Sequence, residues 1–269
     1  MVDLKKDLEE YPVEQSFTHQ VDKKAIPTCP ILGVNIAAID MPWLLAFTEK
    51  HLGALSGDYI CVSNVHTTVT AWKDEAYRAV QNGGILAIPD GGPLSSTGRK
   101  RGYESMRRVT GPDYMLKAIE LGLSKGWRHY FYGSTPETLE KMEKTLRERY
   151  PDIQIAGTYS PPFRALSPEE DGEIVEKINR TAPDFVWVGL GAPKQEIWMR
   201  AHQGKLHGLM VGVGAAFDYT AGNISRAPQW MQKHNLEWLY RLMQDPKRLF
   251  KRYFVTNTTY IFEANLRGK

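Results

Sequence analysis

The chain has 269 residues, 42% of them hydrophobic and 24% charged, with a formal net charge of +3. That apolar share is ample for a core, in one large α/β domain or in two small lobes sharing a cleft. The charge is uneven: from Arg241 to Lys269 seven basic residues face two acids, +5, which leaves −2 for everything before them, so the sequence predicts a local anionic partner and argues against a protein coated in nucleic acid.

Seven Trp and thirteen Tyr suggest aromatic side chains at a ligand or interface surface. Cys29 and Cys61, the two cysteines, fit a reduced, cytosolic protein that needs no disulfide. Met1 to Gln20 is polar and acidic, so no signal peptide is expected, and no apolar run reaches the ~18 residues of a membrane span. Any membrane contact is therefore expected to be peripheral.

Residues 1–30 read as an N-terminal extension of weak periodicity. A strand-like run begins at Ile31 and extends to Ile36. Asp40 predicts a helix cap before Pro42, since proline suits a first turn whose N–H has no partner. Short apolar strands follow at 60–62, 85–88 and 129–132. Ser134-Thr135-Pro136-Glu137 reads as a helix start with Glu137 at the capping-box position, and Leu139, Met142 and Leu146 then share one face. Ile153–Ala156 predicts a strand. Ser167-Pro168-Glu169-Glu170 repeats the capping pattern ahead of a stripe of Ile174, Val175 and Ile178. Strands are predicted at 185–188 and 209–211. Thr110-Gly111-Pro112-Asp113 opens a helix between the two blocks of strands. Alternating strands and helices with no repeats predict an α/β fold with a largely parallel, doubly covered sheet.

Polar residues beyond the ends of such strands mark a ligand crevice. Asp90, in Pro89-Asp90-Gly91-Gly92, is the leading candidate for a catalytic base; Gly91 allows positive φ and close approach of backbone to ligand. The plainer reading is a turn made of turn-favouring residues. Asn64, His66, Thr67 and Thr68 follow the strand at 60–62. Asn64 offers a paired donor and acceptor to a sugar hydroxyl or carbonyl, and His66 is a second base, a donor, or a surface or cap histidine. Arg99, Lys100, Arg101, Arg107 and Arg108 form a basic cluster that would hold a diphosphate or line a solvated helix face.

Val188 to Glu196 runs from a strand through Gly189 and Gly191 into a helix. Backbone N–H groups there suit phosphate oxygens or a uracil carbonyl, and Gln195 suits an amide edge or sugar hydroxyl. It is neither a P-loop nor a dinucleotide fingerprint; the alternative is an ordinary strand-to-helix turn. Gly212, Gly214 and Asp218 make a third loop of this kind, with Asp218 read as a hydroxyl ligand or a cap. The histidines show no metal-ligand spacing. In the tail, Leu242, Leu249, Phe250, Tyr253 and Phe254 form an apolar set beside Lys247, Arg248, Lys251 and Arg252. This suits either an anionic membrane interface or a helix docked on the body.

Together these segments resemble the WecG/TagA/CpsF glycosyltransferases of bacterial surface-polymer synthesis, over about residues 31–254. The resemblance rests on Pro89-Asp90-Gly91, Arg108 with Gly111 and Asp113, Pro161-Pro162-Phe163, Gly189 to Glu196 with Trp198, Phe217-Asp218 with Ala221-Gly222, Arg226 to Trp230, and Leu236 to Leu242. It implies a Rossmann-like, largely parallel sheet in two lobes, a glycosyltransferase domain over 31–240, and a helical, basic, membrane-associating appendage over 241–269.

The implied activity is inverting transfer of a sugar, such as N-acetylmannosamine, from a UDP-sugar to a polyprenyl-diphosphate-linked sugar. It would take place at the cytoplasmic membrane face, without bound metal or cofactor. The family's functional positions fall on Asn64, Asp90, Arg108 and Gln195. On this reading Asp90 deprotonates the acceptor, while Arg108, the loops at Gly191 and Gly214, and tail residues Arg248 and Arg252 meet the diphosphate. Some members carry threonine where this chain has Val62, a departure that bears on the choice of sugar and not on the reaction type. A homo-oligomer is a further expectation. The rival reading is a non-catalytic module binding a nucleotide-sugar or anionic lipid through the same loops.

Overall fold

The structure is a computed structural model that describes residues 4–11 and 17–266, with the side chains of Lys233, Arg248, Asn265 and Leu266 outside the described residues. The run at Ile31–Ile36 is a hairpin rather than a single strand. β1 (Thr28–Ile31) pairs antiparallel with β2 (Val34–Ala37), Ile31 opposite Val34. Leu32 and Gly33 between them both have positive φ, 51° and 82°. That is the two-residue turn whose twist matches a hairpin, and it ordinarily carries Asn or Gly first; leucine there conceals it in sequence.

Six strands form one sheet: β3 (Tyr59–Ser63), β4 (Leu86–Pro89), β5 (Arg128–Gly133), β6 (Gln154–Tyr159), β7 (Phe185–Gly189) and β8 (Leu209–Gly212). Their order is β4-β3-β8-β7-β5-β6 and every neighbouring pair is parallel. The two expected lobes thus share one sheet, with β8 joining the β3–β4 end to the β7–β5–β6 end. Strands β3, β4 and β8 are buried along their whole length, as helices on both faces require.

Thirteen α-helices lie among the described residues, in chain order: α1 (Leu4–Glu10), α2 (Met41–His51), α3 (Val65–Lys73), α4 (Glu75–Gly83), α5 (Gly92–Lys100), α6 (Gly111–Gly122), α7 (Pro136–Arg149), α8 (Pro168–Arg180), α9 (Lys194–Ala201), α10 (Ala216–Thr220), α11 (Gln229–Lys233), α12 (Glu237–Gln244) and α13 (Pro246–Tyr260). The crossovers β3→β4, β6→β7 and β7→β8 step one way along the sheet; β4→β5 and β5→β6 step the other. Right-handed crossovers then place α4, α8 and α9 on one face, around Tyr77, Ile178 and Trp198, and α6 and α7 on the other, around Tyr114, Ile119 and Met142. The chain leaves β3 for α3 but leaves neighbouring β8 for α10, which packs on α6 and α7. A crevice opens where adjacent strand ends part in this way.

The predicted helix starts are present. Asp40 caps α2 by accepting from Trp43 N, Thr110 caps α6, and Ser167 with Glu170 forms a capping box. At α7 the cap is one residue later than the Ser134/Glu137 spacing predicts. Ser134 takes positive φ (59°), and Thr135 accepts from Thr138 N.

Both expected domain boundaries fall inside elements. The one at 30/31 lies within β1, and the one at 240/241 lies within α12. Within the N-terminal extension, α1 packs on α9 and His19 Nδ1 lies 2.6 Å from Asp58 Oδ2. At the other end α13 packs on α3, with Leu249, Thr256 and Tyr260 buried. Tyr260 donates to Thr97 Oγ1 (3.0 Å), and Arg101 donates to Ala264 O (2.7 Å). No helix among the described residues is long and apolar enough to cross a membrane.

Candidate active site

Ser63 is level with Pro89 in the β3–β4 pair, so the residues after them, Asn64 and Asp90, leave the sheet side by side. Asp90 N donates to Ser63 O (2.7 Å), which ties the two strand ends together. Gly91 follows with φ +120°, a conformation that side chains rarely adopt. Gly92 has no room for a Cβ, since one would sit 2.2 Å from Asn235 Cγ. The loop between α11 and α12 therefore closes directly over the Asp90 turn.

Asp90 is 27% exposed, and no donor among the described residues lies within hydrogen-bond distance of its carboxylate. Burial pushes its pKa up to about 6; Arg108 works against that rise, and Glu237 adds to it. Arg108 is held there by backbone, because Val109 N donates to Pro89 O (2.9 Å) and lays the segment alongside β4. Its Nε is 4.0 Å from Asp90 Oδ1, and its NH2 donates to Glu237 Oε2. Arg226 donates to Asp113 Oδ1 (2.6 Å) and has its Nε 4.0 Å from Glu237. Burial alone would raise Asp113, but hydrogen bonds from Arg226 and Thr110 hold it below the usual carboxylate range. Arg226 and Arg241 both lie over the Tyr219 ring at 5.9 Å. Asp90, Asp113 and Glu237 thus face Arg108, Arg226 and Arg241, a charge-balanced ring around the end of β4.

The other sequence candidates divide. Asn64 caps α3: its Oδ1 accepts from His66 N (2.9 Å) and Thr67 N (3.2 Å). Only its Nδ2 is left to meet a ligand, not the paired donor and acceptor expected. Thr67 is buried and its hydroxyl closes the capping box with Asn64, so it offers a ligand no group. Burial, reinforced by the Arg252 charge, lowers His66 to about 4, which makes it a neutral imidazole near pH 7. His66 Nδ1 and Arg252 Nε are both buried without a hydrogen-bond partner among the described residues. The Arg248 side chain lies outside the described residues.

The expected basic cluster is split. Arg99 and Arg107 donate to Met106 O and Arg101 to Pro30 O, so Arg108 is the member directed at Asp90. Asp218, half-buried in α10, accepts from Asn223 Nδ2 (3.2 Å).

The glycine loops are arranged differently from the expectation. Gly191 and Gly214 have positive φ, 79° and 54°, but their N–H groups are not open phosphate donors. Both donate to Gln195 Oε1, each at 3.1 Å. Gln195 is buried, and its Nε2 donates to Glu196 Oε1 (2.8 Å), so both ends of the amide that was expected to face a ligand are bonded within the protein. A separate cavity of about 120 Å³ lies at the ends of β5 and β7, lined by Tyr132, Ser134, Pro162, Phe163, Leu190 and Lys194. The ends of β3 and β8 lie between it and Asp90. Among the described residues no three His, Cys, Asp or Glu side chains are grouped to hold a metal ion.

The description "Glycosyl transferase WecG/TagA/CpsF family" matches residues 29–268. The chain belongs to the WecG/TagA/CpsF glycosyltransferase family. It is similar to proteins named N-acetylglucosaminyldiphosphoundecaprenol N-acetyl-beta-D-mannosaminyltransferase in three bacteria. For Bacillus subtilis (strain 168) the identity is 31% over 228 residues, 84% of this chain and 85% of the relative. For Bacillus spizizenii it is 29% over 223 residues, 82% and 85%. For Staphylococcus aureus (strain MW2) it is 28% over 239 residues, 88% and 89%.

For this family member, single segments pointed to Arg108 beside Asp90 but not to the rest of the charge ring. Asp113, Arg226 and Glu237 were legible as parts of matched motifs, yet nothing in a linear reading brings position 237 to position 108. The one available signal was that these charges recur in the short segments that carry the resemblance.

Proposed function

We propose that the protein is an inverting, metal-independent glycosyltransferase that moves a sugar from a UDP-sugar to a polyprenyl-diphosphate-linked sugar, with Asp90 as the general base. The observation that carries this reading is Asp90 itself: a partly exposed carboxylate just beyond the end of β4, with no hydrogen-bond donor among the described residues and its pKa raised to about 6 beside an arginine. Such a group is ionised at neutral pH and still basic enough to take a proton.

The acceptor hydroxyl gives its proton to Asp90 as its oxygen attacks C1 of the donor. The C1–O bond to UDP breaks on the opposite face, and an α-linked donor gives a β-linked product. Arg108, Arg241 and Arg252 are suited to meet the charge growing on the diphosphate. His66, neutral and with an unpartnered Nδ1, and Asn64 Nδ2 are suited to orient sugar or phosphate oxygens, and Asp218 to receive a hydroxyl. The relatives' names make UDP-N-acetylmannosamine and a lipid-diphosphate N-acetylglucosamine the first pair to offer.

With that pair, and without added metal, UDP is expected to be released only when the acceptor is present, together with a β-linked disaccharide product. UDP binding with no turnover on any donor and acceptor offered would favour the rival reading of a non-catalytic binding module.

The tail supports work at a membrane surface, on this reading the cytoplasmic face. Phe250 and Phe254 stack on each other and are 62% and 63% exposed, next to exposed Lys247 and Lys251. The docked and membrane-facing readings of the sequence are compatible, since α13 buries Leu249 and Tyr260 inward and turns these rings outward. Phe250→Ser with Phe254→Ser is expected to weaken binding to anionic vesicles by roughly tenfold or more, from lost apolar burial. Turnover on a soluble short-chain acceptor should stay near wild type. Unchanged vesicle binding would assign the patch to contact with a second copy instead.

A further inference from the structure

Glu196 is fully buried, and among the described residues no cation pairs with it. Two runs of hydrogen bonds converge on its carboxylate. In the first, Ser63 Oγ donates to Gln81 Oε1 (2.6 Å), Gln81 Nε2 to Tyr77 OH (2.9 Å), and Tyr77 OH to Glu196 Oε2 (3.1 Å). In the second, Gly191 N and Gly214 N donate to Gln195 Oε1, and Gln195 Nε2 donates to Glu196 Oε1. The runs begin at the ends of β3, β7 and β8, three of the strand ends that border the crevice.

The direction of each bond follows from what the atoms can do. Backbone N–H groups only donate, so they require the carbonyl end of Gln195, and the amide nitrogen must then find an acceptor. Glu196 Oε1 is that acceptor. Tyr77 already receives Gln81, so its proton goes to Glu196 Oε2. An ionised carboxylate accepts from both runs and has no proton of its own to place. Burial opposes the ionised form and raises the group to about 7. A hydrocarbon would be the cheaper occupant of this position if packing were its only task. The site is also tight: a Cβ on Gly212 would lie 3.0 Å from Gln195 Nε2 and 2.8 Å from Met199 Cε.

We propose that Glu196 is a positioning residue for the transfer: it orients the Gln195 amide, which clips the Gly191 and Gly214 loops together at the spacing the donor requires. Glu196 touches no substrate and acts through Gln195. The inference rests on the reading that these loops border the donor site.

The test uses the full chain with UDP-N-acetylmannosamine and a short-chain lipid-diphosphate N-acetylglucosamine, comparing wild type, Glu196→Leu, Glu196→Gln and Tyr77→Phe. Glu196→Leu is expected to raise the donor KM and the UDP Kd by roughly tenfold or more, with the acceptor KM within about twofold. Hydrogen exchange in the segments holding Gly191 and Gly214 should speed up with it. Glu196→Gln, whose carbonyl can still receive the Gln195 amide, should recover part of the loss. Tyr77→Phe leaves the Gln195 contact intact and should do less harm than leucine.

A folded Glu196→Leu protein with wild-type donor KM and UDP Kd overturns the proposal. So does a variant whose sole defect is a smaller active fraction, which would mark a merely structural residue. If the leucine variant does not fold, Glu196→Gln decides by the same criteria, and unchanged donor KM and loop exchange overturn it. A wild-type chain that binds no UDP would sink the donor-site reading and this inference together. A wild type that binds UDP beside unaffected variants would sink this inference alone.

Discussion

Asp90→Asn is expected to cut turnover by roughly 10²–10⁴-fold, the scale of a lost general base, while UDP affinity stays near wild type. Asparagine keeps the shape of the side chain and the glycine-dependent turn behind it, so the loss isolates the proton-accepting oxygen. The pH dependence sharpens the test. Burial holds the Asp90 carboxyl at about 6, with Arg108 and Arg241 pulling it down and Glu237 and Asp113 pushing it up. Activity of the wild type should therefore fall on the acid side with a midpoint near 6, and that limb should be missing from whatever activity the variant keeps.

Stability should move the opposite way. The folded pKa, about 6, stands above the ordinary 3.8, so the folded chain holds this proton more tightly than the unfolded chain. Stability is thus lost as pH rises from roughly 4 to 6. Asparagine never ionises, so the variant should melt higher than wild type at pH 7, and the gap should close near pH 4. Glu196, raised to about 7, adds its own pH dependence to both proteins and cancels in the comparison. Near-normal turnover in Asp90→Asn, or an unchanged acid limb, would refute Asp90 as the base.

The sheet was readable because all its strands but β6 are short apolar runs ended by Gly, Ser or Pro, and because helix starts carry local chemistry. Asp40, Thr110 and Ser167 cap the helices that their spacing predicts. The failures have physical causes of the same kind. Leu32 occupies a positive-φ turn position usually marked by Asn or Gly, so the β1–β2 hairpin read as one strand. Ser134 takes positive φ and moves the α7 cap to Thr135.

At the site, the strand-end rule found Asn64, Asp90 and both glycine loops, but residue chemistry alone could not say which polar groups the protein itself would consume. Thr67 closes a capping box. Gln195, which reads as a ligand contact, instead saturates the two glycine N–H groups that read as phosphate donors. Donor and acceptor capacity is finite, and only the folded arrangement shows where it is used.

Arg108→Ala is expected to lower kcat/KM by roughly 10²–10³-fold at neutral pH, the scale for removing one donor that meets transition-state charge. Two separable effects contribute. Arg108 is the cation that most lowers the Asp90 pKa, so its loss leaves Asp90 and Glu237 as like charges in one partly buried place and moves the base further above 6. The second effect is loss of positive charge beside the leaving diphosphate. Raising the pH from 6 to 8 should restore the first and leave the second, so the variant's deficit should shrink with pH without closing.

Arg108→Lys separates charge from shape. An ammonium is a single point of charge, whereas the guanidinium reaches Asp90 through Nε and Glu237 through NH2 at once. Lysine should therefore recover part of the activity and leave Glu237 less firmly held over the crevice. Activity within threefold of wild type for Arg108→Ala at both pH values would show that neither the base nor the diphosphate depends on this side chain. The charge ring around Asp90 would then serve only to hold α12 in place.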